Sequence, residues 1–181
     1  LRDRNICSRT ELPVFAWGMY GGVLKRAIAT LKYDKKTQVA QMLGSWLAEA
    51  WLNSPFTANQ PIVTPIPLHA TKLSERGFNQ AELLARSFCQ VTGLKLRSQG
   101  LERTRHTARQ FELSGKEREQ NLAGAFQLGS DFLHHRPTRS VLILDDIYTT
   151  GATARSAAHT LRQAGIEVCG VVAIAAALKG N

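Results

Sequence analysis

The apolar positions of the chain change period several times, and each change marks an element. Val141 to Leu144 is an unbroken apolar run with β-branched residues at alternate positions, the pattern of a strand buried on both faces of a parallel sheet. Val168 to Ala176 repeats it. From Val23 to Lys32, the apolar residues Val23, Leu24, Ala27, Ile28 and Leu31 recur at helical spacing. A second helix is predicted from Thr37 to Leu52, with Val39, Leu43, Trp46, Leu47 and Ala50 as its core stripe. Asn79 to Thr92, closed by Gly93, and Thr153 to Gln163, closed by Gly165, give two more helices. Their core faces are Ala81, Leu84, Phe88 and Val91 in the first, and Ala154, Ala157, Ala158 and Leu161 in the second. Ile62 to Leu68 reads as a strand, but Pro65 and Pro67 confine it to a sheet edge or end it near Pro65. Val14 to Tyr20, part of Leu94 to Leu101, and Gly124 to Leu128 add short strands, and His69 to Phe78 reads as a polar loop. Strands alternating with helices predict an α/β fold with a parallel sheet and crossover helices. The length of 181 residues predicts one domain, with residues 1–60 as a mainly helical N-terminal part and residues 61–181 as the α/β core.

Charge narrows the class of partner. A net charge of +9, from 23 basic against 14 acidic residues, asks for an anion, either nucleic acid or a polyphosphate. Much of the excess lies between Arg97 and Arg118, where Arg97, Arg103, Arg105, Arg109, Lys116 and Arg118 face only Glu102, Glu112 and Glu117. The same run also suits a plain solvated surface. No apolar run is long enough to span a bilayer, so no membrane span is expected. The first residues are charged and lack the apolar centre of a signal peptide. Cys7, Cys89 and Cys169 are widely spaced and form no C-x-x-C pair, which fits a reducing cytoplasm.

The candidate chemistry follows the Val141 run. Asp145 and Asp146 come at its end, then the small polar stretch Thr149, Thr150, Gly151, Ala152 and Thr153, then a helix. The carboxyl end of a strand leading into a helix N-terminus is where ligands bind in open α/β sheets. Unpaired N–H groups there suit a phosphate, and the threonine hydroxyls add donors. The carboxylates repel a phosphate and suit sugar hydroxyls, a Mg²⁺, or both. A ribose 5-phosphate carrying a pyrophosphate meets all of these requirements. The plain alternative is an Asp-rich turn whose acids cap the helix.

D-D-x-x-x-T-G-x-T after an apolar strand resembles the motif by which type I phosphoribosyltransferases bind 5-phosphoribosyl 1-pyrophosphate (PRPP). Further segments resemble the ComF/GntX family: Y-G-G-V-L-K-R-A-I-A-T-L-K-Y from Tyr20, P-I-P-L-H from Pro65, R-G-F-N-Q-A-E-L-L-A-R from Arg76, R-T-R-H-T-A-R-Q from Arg103 and R-E-Q-N-L-A-G-A-F from Arg118. Together they cover nearly all of Tyr20 to Ala176. The resemblance implies a type I phosphoribosyltransferase-like parallel sheet flanked by helices, with an N-terminal helical hood. It implies that Asp145 and Asp146 contact the ribose hydroxyls and hold Mg²⁺, directly or through water. It implies that Thr149, Thr150, Gly151, Ala152 and Thr153 wrap the 5-phosphate. His69, Ala70, Thr71 and Lys72, with Arg76, would take the pyrophosphate, although Lys72 equally suits a solvated surface. Asn79 suits a helix cap. Residues 103–110, with Arg103, Arg105 and Thr107, would form a loop closing over the reacting centre, and Lys32 and Tyr33 would line the acceptor side. Members usually begin with a cysteine-rich zinc module, and with only Cys7 there this module is expected to be absent.

Two functions compete. One is a Mg²⁺-dependent phosphoribosyltransferase acting on PRPP or a phosphoribosyl nucleotide, with a role in DNA uptake. The other is a non-catalytic, PRPP-regulated protein that binds single-stranded DNA. A response-regulator receiver fails on order, because no Asp follows Asp146. The P-loop, dinucleotide and hydrolase-elbow glycine motifs do not occur.

Overall fold

The computed structural model describes residues 12–104 and 124–177. β1 (Val14–Met19) leads into α1 (Gly22–Tyr33) and α2 (Gln38–Leu52). A 3-10 turn (Pro55–Asn59) precedes β2 (Ile62–Pro65), which is followed by the short α3 (Ala70–Arg76) and by α4 (Gln80–Thr92). β3 (Leu101–Arg103) and β4 (Phe126–Leu128) pair as an antiparallel ribbon. α5 (Ser130–Leu133), β5 (Val141–Tyr148), α6 (Ala152–Gln163) and β6 (Val168–Ala176) complete the order.

The main sheet has four parallel strands in the order β1-β6-β5-β2. It is an α/β fold, with helices packed on both faces. Val141 and Ile143 of β5 join Ala154, Ala157 and Leu161 of α6 on one face, while Leu142 and Leu144 join Ile28, Leu43 and Leu84 on the other. That division is why the run from Val141 carries no polar residue: each side chain meets a helix layer. Burying one such side chain stabilises by about 1.5–3 kcal/mol. β1 comes from the N-terminal part yet pairs with β6, so the hood and the core share one sheet.

The strand with prolines is an edge strand and ends at Pro65, as proline requires. Beside it, residues 94–100 form a single bridge, Val63 with Leu96, and the strand expected within 94–101 begins only at its end, where Leu101 opens β3. The expected polar loop at His69 to Phe78 contains α3, capped at its start by the His69 side chain and ended at Gly77. The core stripe of α2 is also rotated from the expected one. Ala40, Leu43, Gly44, Leu47, Ala48 and Trp51 are buried, whereas Trp46 is 41% exposed and stacks on Trp17. The cause is Gly44. A Cβ there would lie 2.7 Å from the Leu84 carbonyl oxygen and 2.7 Å from Ser87 Cβ, so α4 packs directly against the α2 backbone. Among the described residues, no helix is long and apolar enough to cross a membrane.

Candidate functional site

β5 runs through the acidic pair and does not stop before it, so its alternation starts the two side chains on opposite faces, although their carboxyls remain close enough to interact. Asp146 follows Leu142 and Leu144 onto the face covered by α1 and α4, and is 4% exposed. Lys32, in the last turn of α1, ion-pairs with its Oδ2, and Gln80 Nε2 donates to its Oδ1 at 3.2 Å. The other end of the Gln80 amide, Oε1, accepts from Arg76 Nη1. A polar chain thus runs from Lys32 through Asp146 and Gln80 to Arg76. Burial opposes ionisation of Asp146, but the Lys32 ammonium and the hydrogen bonds with Lys32, Asp145 and Gln80 hold its carboxyl below the ordinary range.

Asp145 is half-buried on the opposite face, and its Oδ1 accepts the Asp146 backbone N–H at 2.8 Å. Burial, then the neighbouring Asp146 charge, push its carboxyl well above the ordinary range. Arg103, at the end of β3, carries its guanidinium over the Phe126 ring at 5.6 Å and feels the charge of Asp145. Burial lowers its pKa, and Asp145 pulls it back up.

The turn after β5 is built around Gly151, which caps α6 at a φ of 76°. A Cβ there would come within 2.2 Å of Tyr148 Oη, so this position needs glycine both for its left-handed backbone and for space. Thr150 binds the turn together. Its Oγ1 accepts from Ala152 N–H at 3.4 Å, and its carbonyl accepts from Arg155 Nη1 at 2.8 Å. Thr149 is exposed, Thr150 and Thr153 are half-buried, and Ala152 is buried. The turn therefore lies at the carboxyl end of the sheet beside Asp145, opening a 12-residue helix.

The residues expected to take pyrophosphate divide into two groups. Ala70 and Thr71 are exposed at the start of α3, where His69 Nδ1 accepts from Thr71 N–H at 3.3 Å. Lys72 is drawn along its own helix to Glu75 at 2.6 Å. Arg76 instead joins the Gln80 network, and so reaches the acidic pair. Asn79 caps α4 through Ala81 N–H at 3.1 Å and donates to the Ile66 carbonyl at 3.0 Å. A cavity of about 480 Å³ joins the end of β2 to the ribbon, lined by Pro67, Leu68, Asn79, Glu102 and Arg103. Arg105, Thr107 and the rest of the expected closing loop lie outside the described residues. Tyr33 is 75% exposed, and Lys32 faces Asp146.

Sequence reasoning did not foresee that Gln80 and Lys32 hold Asp146. The available signal was a polar residue, Gln80, at a buried first-turn position on the core face of α4. Among the described residues, no group of three His, Cys, Asp or Glu side chains could enclose a metal ion. The donor set fits a Mg²⁺ that a polyphosphate brings with it, held by Asp145 and by ligand oxygens. It does not fit a cage made by the protein alone.

No family model matches the chain. It is 35% identical over 105 residues to competence protein F of Haemophilus influenzae, covering 58% of this chain and 45% of that protein. It is 30% identical over 151 residues to DNA utilization protein YhgH of Salmonella typhi, covering 81% of this chain and 64% of that protein. To competence protein ComFC of Bacillus subtilis it is 24% identical over 149 residues, covering 81% of this chain and 56% of that protein. The chain therefore spans less than two thirds of the length of these relatives. A solved structure described as the allosteric regulatory enzyme of purine biosynthesis superposes with a TM-score of 0.43 at 22% identity, covering 74% of this chain and 24% of that one. The chain is thus similar in sequence to competence protein F, YhgH and ComFC, proteins named for competence and DNA utilization.

Proposed function

We propose that the chain binds PRPP with Mg²⁺ at the turn between β5 and α6, and that this binding serves DNA uptake or utilization. One observation carries the reading. Asp145 stands half-buried at the carboxyl end of a central parallel strand, directly before a threonine turn that Gly151 kinks into the N-terminus of α6. The first-turn N–H groups of α6 and the hydroxyls of Thr149 and Thr153 receive the 5-phosphate. Asp145 accepts from the ribose hydroxyls. The pyrophosphate extends toward residues 69–72, Arg76 and Arg103, whose guanidinium groups offset its charge. Asp145, together with ligand oxygens, would hold Mg²⁺, which would supply positive charge against the departing pyrophosphate. When an acceptor nucleophile is present, the bond from C1 to pyrophosphate breaks as the new bond to C1 forms. The site's contribution is to position the two and to keep water out.

Calorimetric titration of PRPP with Mg²⁺ into the wild type and Asp145→Asn tests this directly. Binding that is lost in the variant supports the reading. A wild type that takes up no heat-detectable PRPP ends it.

A second reading has its own support. The net charge of +9 and relatives named for DNA utilization favour a protein that binds single-stranded DNA, with PRPP as its regulator and not its substrate. Oligonucleotide binding that weakens steeply with salt and responds to PRPP, with no pyrophosphate released, favours this reading.

A further inference from the structure

We propose that Lys32 is a positioning residue that sets the charge of the site: it cancels Asp146, so that the acidic pair does not present two uncompensated carboxylates to its ligand. This inference rests on the reading of the site as one for a phosphorylated sugar.

Two adjacent carboxylates are a poor platform for PRPP, a polyanion, since a second full charge nearby repels every phosphate on the ligand. The structure resolves this within the protein. Asp146 lies on the face covered by α1 and α4, and its two oxygens are engaged by Lys32 and by Gln80. The side chains of Lys32 and Asp146 are 17% and 6% exposed, so solvent cannot substitute for either partner at low cost. Lys32 occupies the last turn of α1, where its charge also complements the helix dipole. The pair therefore ties the N-terminal helical part to the carboxyl end of β5. Through Gln80, the same carboxylate orients Arg76, which lies toward the region proposed for pyrophosphate. Removing Lys32 leaves a buried carboxylate without its counter-charge, beside the Gln80 amide that holds Arg76.

The test uses Lys32→Arg, Lys32→Met, and Lys32→Met combined with Asp146→Asn, alongside Asp145→Asn. Each is titrated with PRPP and Mg²⁺ and melted without ligand. Lys32→Met is expected to weaken PRPP binding by about tenfold. The double variant is expected to bind more tightly than Lys32→Met alone, because it removes the uncompensated charge together with its partner. Lys32→Arg keeps the charge and is expected to stay nearer the wild type than Lys32→Met does. Lys32→Met that melts lower but binds PRPP like the wild type would reduce Lys32 to a structural residue and overturn the proposal. A double variant that binds no better than Lys32→Met would overturn it too, since Asp146 would then itself be a ligand contact. If the wild type binds no PRPP, the functional reading fails separately. The same four variants titrated with inorganic pyrophosphate then decide the role of Lys32 by the same ordering.

Discussion

Asp145 and Asp146 are adjacent in sequence, yet Asp146 is locked to α1 and α4 by Lys32 and Gln80, while Asp145 lies on the other face near Arg103. Their carboxyl groups are pushed in opposite directions, up for Asp145 and down for Asp146. Substitution should therefore have opposite effects on stability. Asp146→Asn strands Lys32 and should destabilise the ligand-free protein by about 3 kcal/mol at neutral pH. Asp145→Asn removes a carboxylate that burial and its neighbour disfavour, and should stabilise by roughly 0.5–2 kcal/mol, as functional-site residues often do when replaced. Denaturant melts of the two variants and the wild type measure both.

The pH dependence follows from the same directions. The contribution of Asp146 is present above the ordinary aspartate value of about 3.9 and is lost as pH falls through its lowered folded value. Asp145 acts inversely, with its contribution complete below the ordinary value and lost as pH rises through the raised one. The deficit of Asp146→Asn should close on strong acidification, and the gain of Asp145→Asn should shrink as pH falls from neutral. Thermal melts across a pH series would show both trends, and a pH-independent gap would contradict them.

Gly151→Ala should damage the turn twice. Its φ of 76° disfavours a side chain by about 1–2 kcal/mol, and the new Cβ collides with the Tyr148 hydroxyl. PRPP binding should fall more than the melting temperature does, because Tyr148 and Arg155 both fix the proposed phosphate turn. Equal binding by Gly151→Ala and wild type would place the 5-phosphate elsewhere.

Gly44→Ala tests the contact between α2 and α4. Its Cβ would meet backbone, the Leu84 carbonyl, which cannot swing aside as a side chain can. A loss of about 1–3 kcal/mol is expected from overpacking. An unchanged melting temperature would mean the helices separate easily.

Cys89 should be inert to thiol reagents while the chain is folded. It is 8% exposed, and burial pushes its thiol up to about 12. Alkylation at Cys89, followed by mass spectrometry across a denaturant series, should track global unfolding. Labelling of Cys89 in native buffer would show that the α4 face opens locally.

The sequence reports some of this well, and the reasons are physical. β5, β6 and α6 are legible because burial on both faces demands unbroken apolar runs, and because Ala154, Ala157, Ala158 and Leu161 repeat at helical spacing. The acidic pair and the threonine turn are legible because their order along the chain is also their order in space. α3 is not, since its only sizeable apolar residue, Leu73, is 44% exposed and local capping holds the helix. The α2 stripe is misphased because helical periodicity gives no weight to Gly44, the residue that sets the packing. The pairing of Lys32 with Asp146 is invisible because its partners are distant in sequence and only the folded sheet brings α1 beside β5.

The strand order has a consequence for how the chain is made. Among the described strands, β1 and β2 precede β5 and β6 in the chain, yet they form the two outer strands, with β5 and β6 between them. No register between the four strands can form until the final third of the chain exists. Contacts so far apart in sequence slow folding and leave early apolar segments waiting for partners. A nascent chain halted before Val168 would hold β1 without β6, its sheet neighbour among the described residues. Assembly of the sheet, and of the acidic site on its central strand, therefore waits until β5 and β6 have both been made.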